Sequence, residues 1–248
     1  MVDAKQAKLP MNLGHRGASS LAPENTLAAF AKAREVGADG VEFDVQLSAD
    51  GELVVIHDHT LERTTDGRGA VAAHTLVDMK QLDAGRWFDA RYTRERIPTL
   101  QEVIDLLGGE MFLNIELKGG HGECAELPDR VVECLRRNRC EGRVLLSSFH
   151  LEALRRVREI APDLAIGVLY AHPVGEDKIA GLRAEALHPE WKVAGEELVR
   201  SAHAAGQKVN VWTVNAEADM RNLIALGVDA IITNYPQLLA TILKEPRL

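Results

Sequence analysis

A chain of 248 residues, 46% of them hydrophobic and 27% charged, is long enough to bury a large core and has the make-up of an ordinary globular protein, not of a fibrous or disordered one. Its formal net charge of −8 argues against a broad electrostatic surface for nucleic acid or anionic membrane, so an anionic ligand has to be held by local positive charge. No apolar run reaches the length of a membrane span, and Asp3, Lys5 and Lys8 occupy the stretch where a signal peptide needs an apolar region; the expectation is a cytoplasmic protein without stable membrane association.

Strand-like runs fall near 11–15, 40–47, 111–118, 143–148, 164–170, 184–188, 207–214 and 229–233, most of them followed by a helical pattern. After the first run, Asn25 or Thr26 can cap a helix that places Leu27, Phe30 and Ala31 on one face and ends at Gly37. Residues 48–98 break the rhythm with a second apolar run, Leu53 to Ile56, and a polar stretch from His57 to Gly69. They read as an excursion between the second strand and its helix, placed at Leu100 to Leu107. Later helices fit Leu151 to Ile160, Glu196 to Ala205 ending at Gly206, and Ala216 to Leu226 ending at Gly227, with Pro236 in the first turn of the last one. Eight strand–helix units at this length predict an α/β protein on a parallel sheet, either a closed (β/α)8 barrel or an open doubly wound sheet. In a barrel the excursion sits over the C-terminal face, where active sites are built. With no Ser/Gly-rich linker or low-complexity tract, residues 1–248 are expected to form one domain. Cys124, Cys134 and Cys140 lack the spacing of a zinc site and are read as reduced thiols on or near one helix.

The polar residues of two strands carry the chemistry. Val41, Phe43, Val45 and Leu47 alternate with Glu42, Asp44 and Gln46, which puts Glu42 and Asp44 on one face. Leu113, Ile115 and Leu117 alternate in the same way with Asn114, Glu116 and Lys118. If the apolar faces meet outer helices, the polar faces converge inside a barrel, where three carboxylates repel one another unless a cation compensates. A divalent metal is the economical answer, and an all-oxygen set suits Mg²⁺ or Ca²⁺. The plainer alternative is a structural network with interior lysine or arginine.

His15 and His57 each follow an apolar strand-like segment, and two histidines flanking one scissile bond can serve as acid and base; His59 reads as a solvated loop residue. Arg16 and Lys118 supply local positive charge suited to a phosphate. Trp212 shares a face with Asn210 and is placed to wall a pocket near the end of the seventh predicted strand.

Taken in order, these segments resemble the glycerophosphodiester phosphodiesterase family. The resemblance runs through His15-Arg16-Gly17, Pro23-Glu24-Asn25-Thr26, Glu42-Phe43-Asp44, His57-Asp58, Leu61 to Gly67, Leu82 to Phe88, Ile97 to Leu100, Asn114 to Lys118, Ser147-Ser148-Phe149, Val211 to Asn215, and Gly227 to Asp229 leading to Thr233 to Pro236. It departs at Ala230, where glycine is frequent, and at Asn234, where aspartate is frequent. The resemblance implies a TIM barrel with a short insertion after the second strand and metal-dependent hydrolysis of glycerophosphodiesters to glycerol 3-phosphate and an alcohol. It makes Glu42, Asp44 and Glu116 metal ligands, His15 and His57 the acid/base pair, and Arg16 and Lys118 phosphate contacts. The competing readings are a phosphodiesterase acting on lipid or lysolipid, a non-catalytic phosphodiester-binding barrel, and a metal-dependent sugar isomerase on the same fold. The expected partner is a small molecule; homo-oligomerisation is left open.

Overall fold

The computed structural model describes residues 9–107, 109–119, 126–175 and 179–246. Nine strands occur among them: β1 (Met11–His15), β2 (Gly40–Leu47), β3 (Leu53–Val55), β4 (Phe112–Leu117), β5 (Val144–Ser148), β6 (Ala165–Tyr170), β7 (Ala186–Pro189), β8 (Lys208–Val211) and β9 (Ala230–Thr233). Eight are parallel and run in the order β1-β9-β8-β7-β6-β5-β4-β2, with a β1–β2 pairing that closes the ring. The fold is therefore the (β/α)8 barrel and not the open sheet.

The helices are α1 (Leu27–Glu35), α2 (Leu76–Met79), α3 (Leu100–Leu107), α4 (Leu127–Asn138), α5 (Leu151–Ile160), α6 (Glu196–Ala204), α7 (Glu217–Leu226) and α8 (Pro236–Leu243). The outward residues Val41, Phe43 and Val45 of β2 and Leu113, Ile115 and Leu117 of β4 share one buried core with Phe30 of α1 and Leu100 and Val103 of α3. Phe30 and Phe43 meet with ring centroids 5.3 Å apart. Thr26 is the cap of α1, its Oγ1 accepting from the Ala29 amide. The buried face of α1 is Ala29, Phe30 and Ala33, not the Leu27, Phe30 and Ala31 expected from the sequence. Close approach of Gly17 explains the shift: a Cβ there would lie 2.7 Å from the Ala29 backbone, so the alanine side of the helix is the one drawn against the barrel.

β3 runs antiparallel to the upper part of β2, pairing Leu53 with Leu47 and Val55 with Val45. This turns the chain back, and the Ile56 amide donates to the Asp44 carbonyl at 3.1 Å, so His57 returns alongside Asp44. The rest of the insertion, with α2 and two short 3-10 helices at Val71–Ala73 and Ala90–Tyr92, packs on its own small core of Val54, Ile56, Leu61, Val71, Met79, Ala84 and Ile97. Cys134 lies in α4 and Cys140 beyond it, both free; Cys124 is outside the described residues. Among the described residues no helix is long and apolar enough to cross a membrane.

Candidate active site

Strand register brings the carboxylates together. Asp44 and Glu116 are direct partners across β2 and β4, and Glu42 faces Asn114 one step below. One oxygen from each of Glu42, Asp44 and Glu116 lies within 4.8 Å of the others, and all three side chains are buried. Lys118 Nζ sits 3.1 Å from Asp44 Oδ1 and 2.7 Å from Glu116 Oε1. Arg16 Nε is 3.6 Å from Asp44 Oδ2, which also accepts from Asn25 Nδ2 at 2.8 Å. The interior-lysine network foreseen as the plainer alternative is thus present, but it does not balance the charge. Two cations face three carboxylates, and Arg16 is shared with Glu24 at 2.7 Å.

The titration of the three follows from this imbalance. Burial opposes a charge on Asp44, yet Lys118 and Arg16 outweigh it and hold its carboxyl well below the usual carboxylate range. Burial, then repulsion from Asp44 and Glu116, pushes Glu42 well above that range. Burial and Asp44 push Glu116 up to about 7. The site has an excess of negative charge that only protons or an added cation can offset.

The first βα loop aims its side chains by backbone strain. Arg16 (φ 56°) and Asn25 (φ 55°) both hold left-handed backbone, at a cost of roughly 1–3 kcal/mol each. The Arg16 amide donates to the Glu42 carbonyl at 2.7 Å, and the Asn25 amide donates to the Arg16 carbonyl at 3.0 Å, so the loop is stitched to β2 directly above the carboxylates.

His15 ends β1. Its Nδ1 donates to Asn234 Oδ1 at 2.6 Å, since an amide oxygen only accepts, and its Nε2 is left 3.9 Å from Glu42 Oε2. Burial, with Arg16 beside it, lowers His15 to about 4. His57 Nδ1 donates to Asp58 Oδ1 at 2.6 Å, which likewise frees Nε2, and burial lowers its pKa as well. The backbone around it is held by Gln46, whose Nε2 donates to the carbonyls of Ile56, His57 and Asp58 at 2.8, 3.2 and 2.8 Å. His59 is exposed and donates from Nδ1 to Gln46 Oε1. Trp212 follows β8; its Nε1 donates to the His188 carbonyl at 2.7 Å and its ring meets Phe149 edge-on at 5.4 Å.

Sequence reasoning did not single out Gln46, Asn25, Asp58, Glu24, Arg63, Asn234 or Phe149 as members of the site. Gln46 carried a usable signal, being next on the face of Glu42 and Asp44. Phe149 stands two residues beyond Ser147, itself the register partner of Glu116.

Residues 15–238 match the model of the glycerophosphoryl diester phosphodiesterase family. The chain belongs to this family. It is accordingly a phosphoric diester hydrolase. A glycerophosphodiester phosphodiesterase of Caldanaerobacter subterraneus subsp. tengcongensis is 44% identical over 236 residues, covering 94% of this chain and 97% of the relative. One from Bacillus subtilis (strain 168) is 34% identical over 254 residues, covering 94% and 86%. Among solved structures, an Oleispira antarctica phosphodiesterase in complex with the product sn-glycerol-3-phosphate aligns with a TM-score of 0.91 at 37% identity, covering 96% of this chain and 98% of that one.

Proposed function

We propose that the protein hydrolyses glycerophosphodiesters to sn-glycerol 3-phosphate and an alcohol, with His15 and His57 as the acid/base pair and a divalent cation at Glu42, Asp44 and Glu116. The observation that carries this reading is the buried carboxylate cluster, only partly neutralised, with two histidines beside it whose Nε2 atoms make no hydrogen bond among the described residues, that of His15 lying 3.9 Å from Glu42 Oε2. The family's named activity and the product bound to the Oleispira antarctica relative support the substrate class.

The donor set fits a hard cation. It is all oxygen, its three ligand atoms are close enough to share one ion, and the raised Glu42 and Glu116 are what an uncompensated cation site gives. Mg²⁺ or Ca²⁺ held there would supply Lewis-acid polarisation of a phosphoryl oxygen. Arg16 and Lys118 bind the phosphate and offset the charge that grows on its oxygens as the bond to phosphorus breaks. One histidine takes the proton of the attacking oxygen at Nε2, and the other delivers a proton to the departing alkoxide. Trp212, with Phe149 against it, offers an apolar wall to the carbon skeleton of the substrate.

The test is release of sn-glycerol 3-phosphate, read by a coupled assay, from glycerophosphocholine, glycerophosphoethanolamine, glycerophosphoglycerol and glycerophosphoinositol. At least one is expected to be cleaved by the wild type and not measurably by His15→Ala. Silence across the whole panel with cation present contradicts the proposal.

A further inference from the structure

Arg63 belongs to the insertion and touches none of the three clustered carboxylates, yet both of its donor forks are filled. Its Nη1 and Nη2 donate to Glu24 Oε2 and Oε1, each at 2.8 Å, while its Nε and Nη2 donate to Asp58 Oδ2 and Oδ1 at 2.6 and 2.9 Å. Each of these carboxylates has a second partner inside the site. Glu24 Oε1 also accepts from Arg16 Nη1 at 2.7 Å, and Asp58 Oδ1 accepts from His57 Nδ1 at 2.6 Å. One chain of alternating charge, Arg16 to Glu24 to Arg63 to Asp58 to His57, therefore runs from the first βα loop to the insertion.

A network of bidentate pairs can add to stability, but with the Arg63 side chain 44% exposed solvent screens much of that contribution. What a doubly bidentate guanidinium provides is orientation. Orientation is what His57 lacks from the backbone: it lies past the end of the three-residue β3, outside any strand.

We propose that Arg63 is a positioning residue for phosphodiester hydrolysis: by clasping Glu24 and Asp58 together it ties the insertion to the Arg16 loop and fixes the His57 ring with its proton on Nδ1 and Nε2 available to substrate. The carboxylate of Asp58 selects the tautomer, as the partner on one ring nitrogen does for any histidine. Arg63 in turn holds that carboxylate in the plane where His57 can reach it. A lysine at 63 keeps the charge but cannot form both forks.

This inference rests on the hydrolase reading given above, and the test separates the two. Steady-state kinetics on a cleaved glycerophosphodiester are compared for wild type, Arg63→Gln, His57→Ala and the double variant. In parallel, the ring nitrogens of His57 are followed by ¹⁵N NMR in the cation-free protein. Arg63→Gln is expected to lower kcat by about 10–100-fold, by analogy with partners that orient metal-bound histidines, with KM little changed. In the His57→Ala background the same change is expected to cost nothing further. The nitrogen spectrum is expected to show one Nδ1-protonated tautomer in wild type and a mixture in Arg63→Gln. Asp58→Asn serves the same comparison if Arg63→Gln does not fold. Unchanged kcat in Arg63→Gln, an equal loss with and without His57, or an unaltered tautomer in the variant each overturns the positioning role. A wild type inactive on every glycerophosphodiester overturns the hydrolase reading, while the nitrogen spectrum still decides what Arg63 does to His57.

Discussion

The barrel and its insertion hold their functional groups by different means. Glu42, Asp44 and Glu116 project from adjacent parallel strands, and the ladder that pairs Asp44 with Glu116 fixes their spacing through backbone hydrogen bonds. His57 comes from a loop: past the bond from the Ile56 amide to the Asp44 carbonyl it is held by side chains, Gln46 gripping its backbone and Asp58 with Arg63 gripping its ring. A strand-borne cluster keeps its geometry as long as the barrel is folded, whereas a loop-borne imidazole depends on each polar contact behind it. The difference teaches that the proposed cation site and the proposed proton-transfer site are separable, although they share one pocket.

The sharpest way to break that separation is to disable each side alone. Asp44→Asn removes the carboxylate that Lys118 and Arg16 hold below the usual carboxylate range and is expected to abolish both activity and cation binding, the latter followed by calorimetry. His57→Ala is expected to lower turnover by about 10²–10⁴-fold, the usual share of a general acid or base, while cation binding and the melting temperature stay near wild type. Loss of cation binding in His57→Ala would contradict the division. A milder perturbation is Leu61→Ala, at a fully buried position in the insertion's own core. It is expected to cost about 2–5 kcal/mol locally, to speed amide exchange in residues 53–98 without doing so in the barrel strands, and to lower kcat with cation affinity retained. Uniform loosening of strands and insertion in hydrogen exchange would show that the two are one cooperative unit.

The smallest expected effect is a pH dependence on the barrel side. Glu116 rises from its ordinary 4.5 to about 7 in the cation-free protein, so the stability linked to its protonated form is complete at low pH and is lost as pH rises through about 7. A cation has to displace that proton at pH 5 and no longer has to at pH 8. The rise in melting temperature produced by a fixed concentration of Mg²⁺ or Ca²⁺ is therefore expected to be larger at pH 8 than at pH 5. An equal rise at both would detach the cation from Glu116.

Much of the barrel was legible because its signals are local. Alternation in 41–47 and 113–118 gave the inward faces, and Leu100 to Leu107 and Leu151 to Ile160 have the limits that their apolar periodicity predicts. The strand pattern did not by itself choose between barrel and open sheet, since closure rests on the β1–β2 pairing of residues far apart along the chain. In α1 the apolar residues are mostly alanine, so the pattern has little phase, and contact with Gly17 decided which side faces in. The partners of the two histidines were hidden for the same reason as closure. Asn234 is 219 residues from His15, and Glu24 is 39 residues from Arg63; such pairings exist only once the loops are in place. Asp58 was adjacent to His57 in the sequence, but a neighbouring acid acquires meaning only when something fixes its carboxylate, and Arg63 does so.

The proposed divalent cation at Glu42, Asp44 and Glu116 is expected to be required for glycerophosphodiester hydrolysis by this chain. The most direct measurement is sn-glycerol 3-phosphate release by protein stripped of metal with a chelator, then assayed as Mg²⁺ or Ca²⁺ is returned. No release is expected from the stripped protein, and recovery is expected with one cation per chain. Full activity in the stripped, cation-free protein would contradict it.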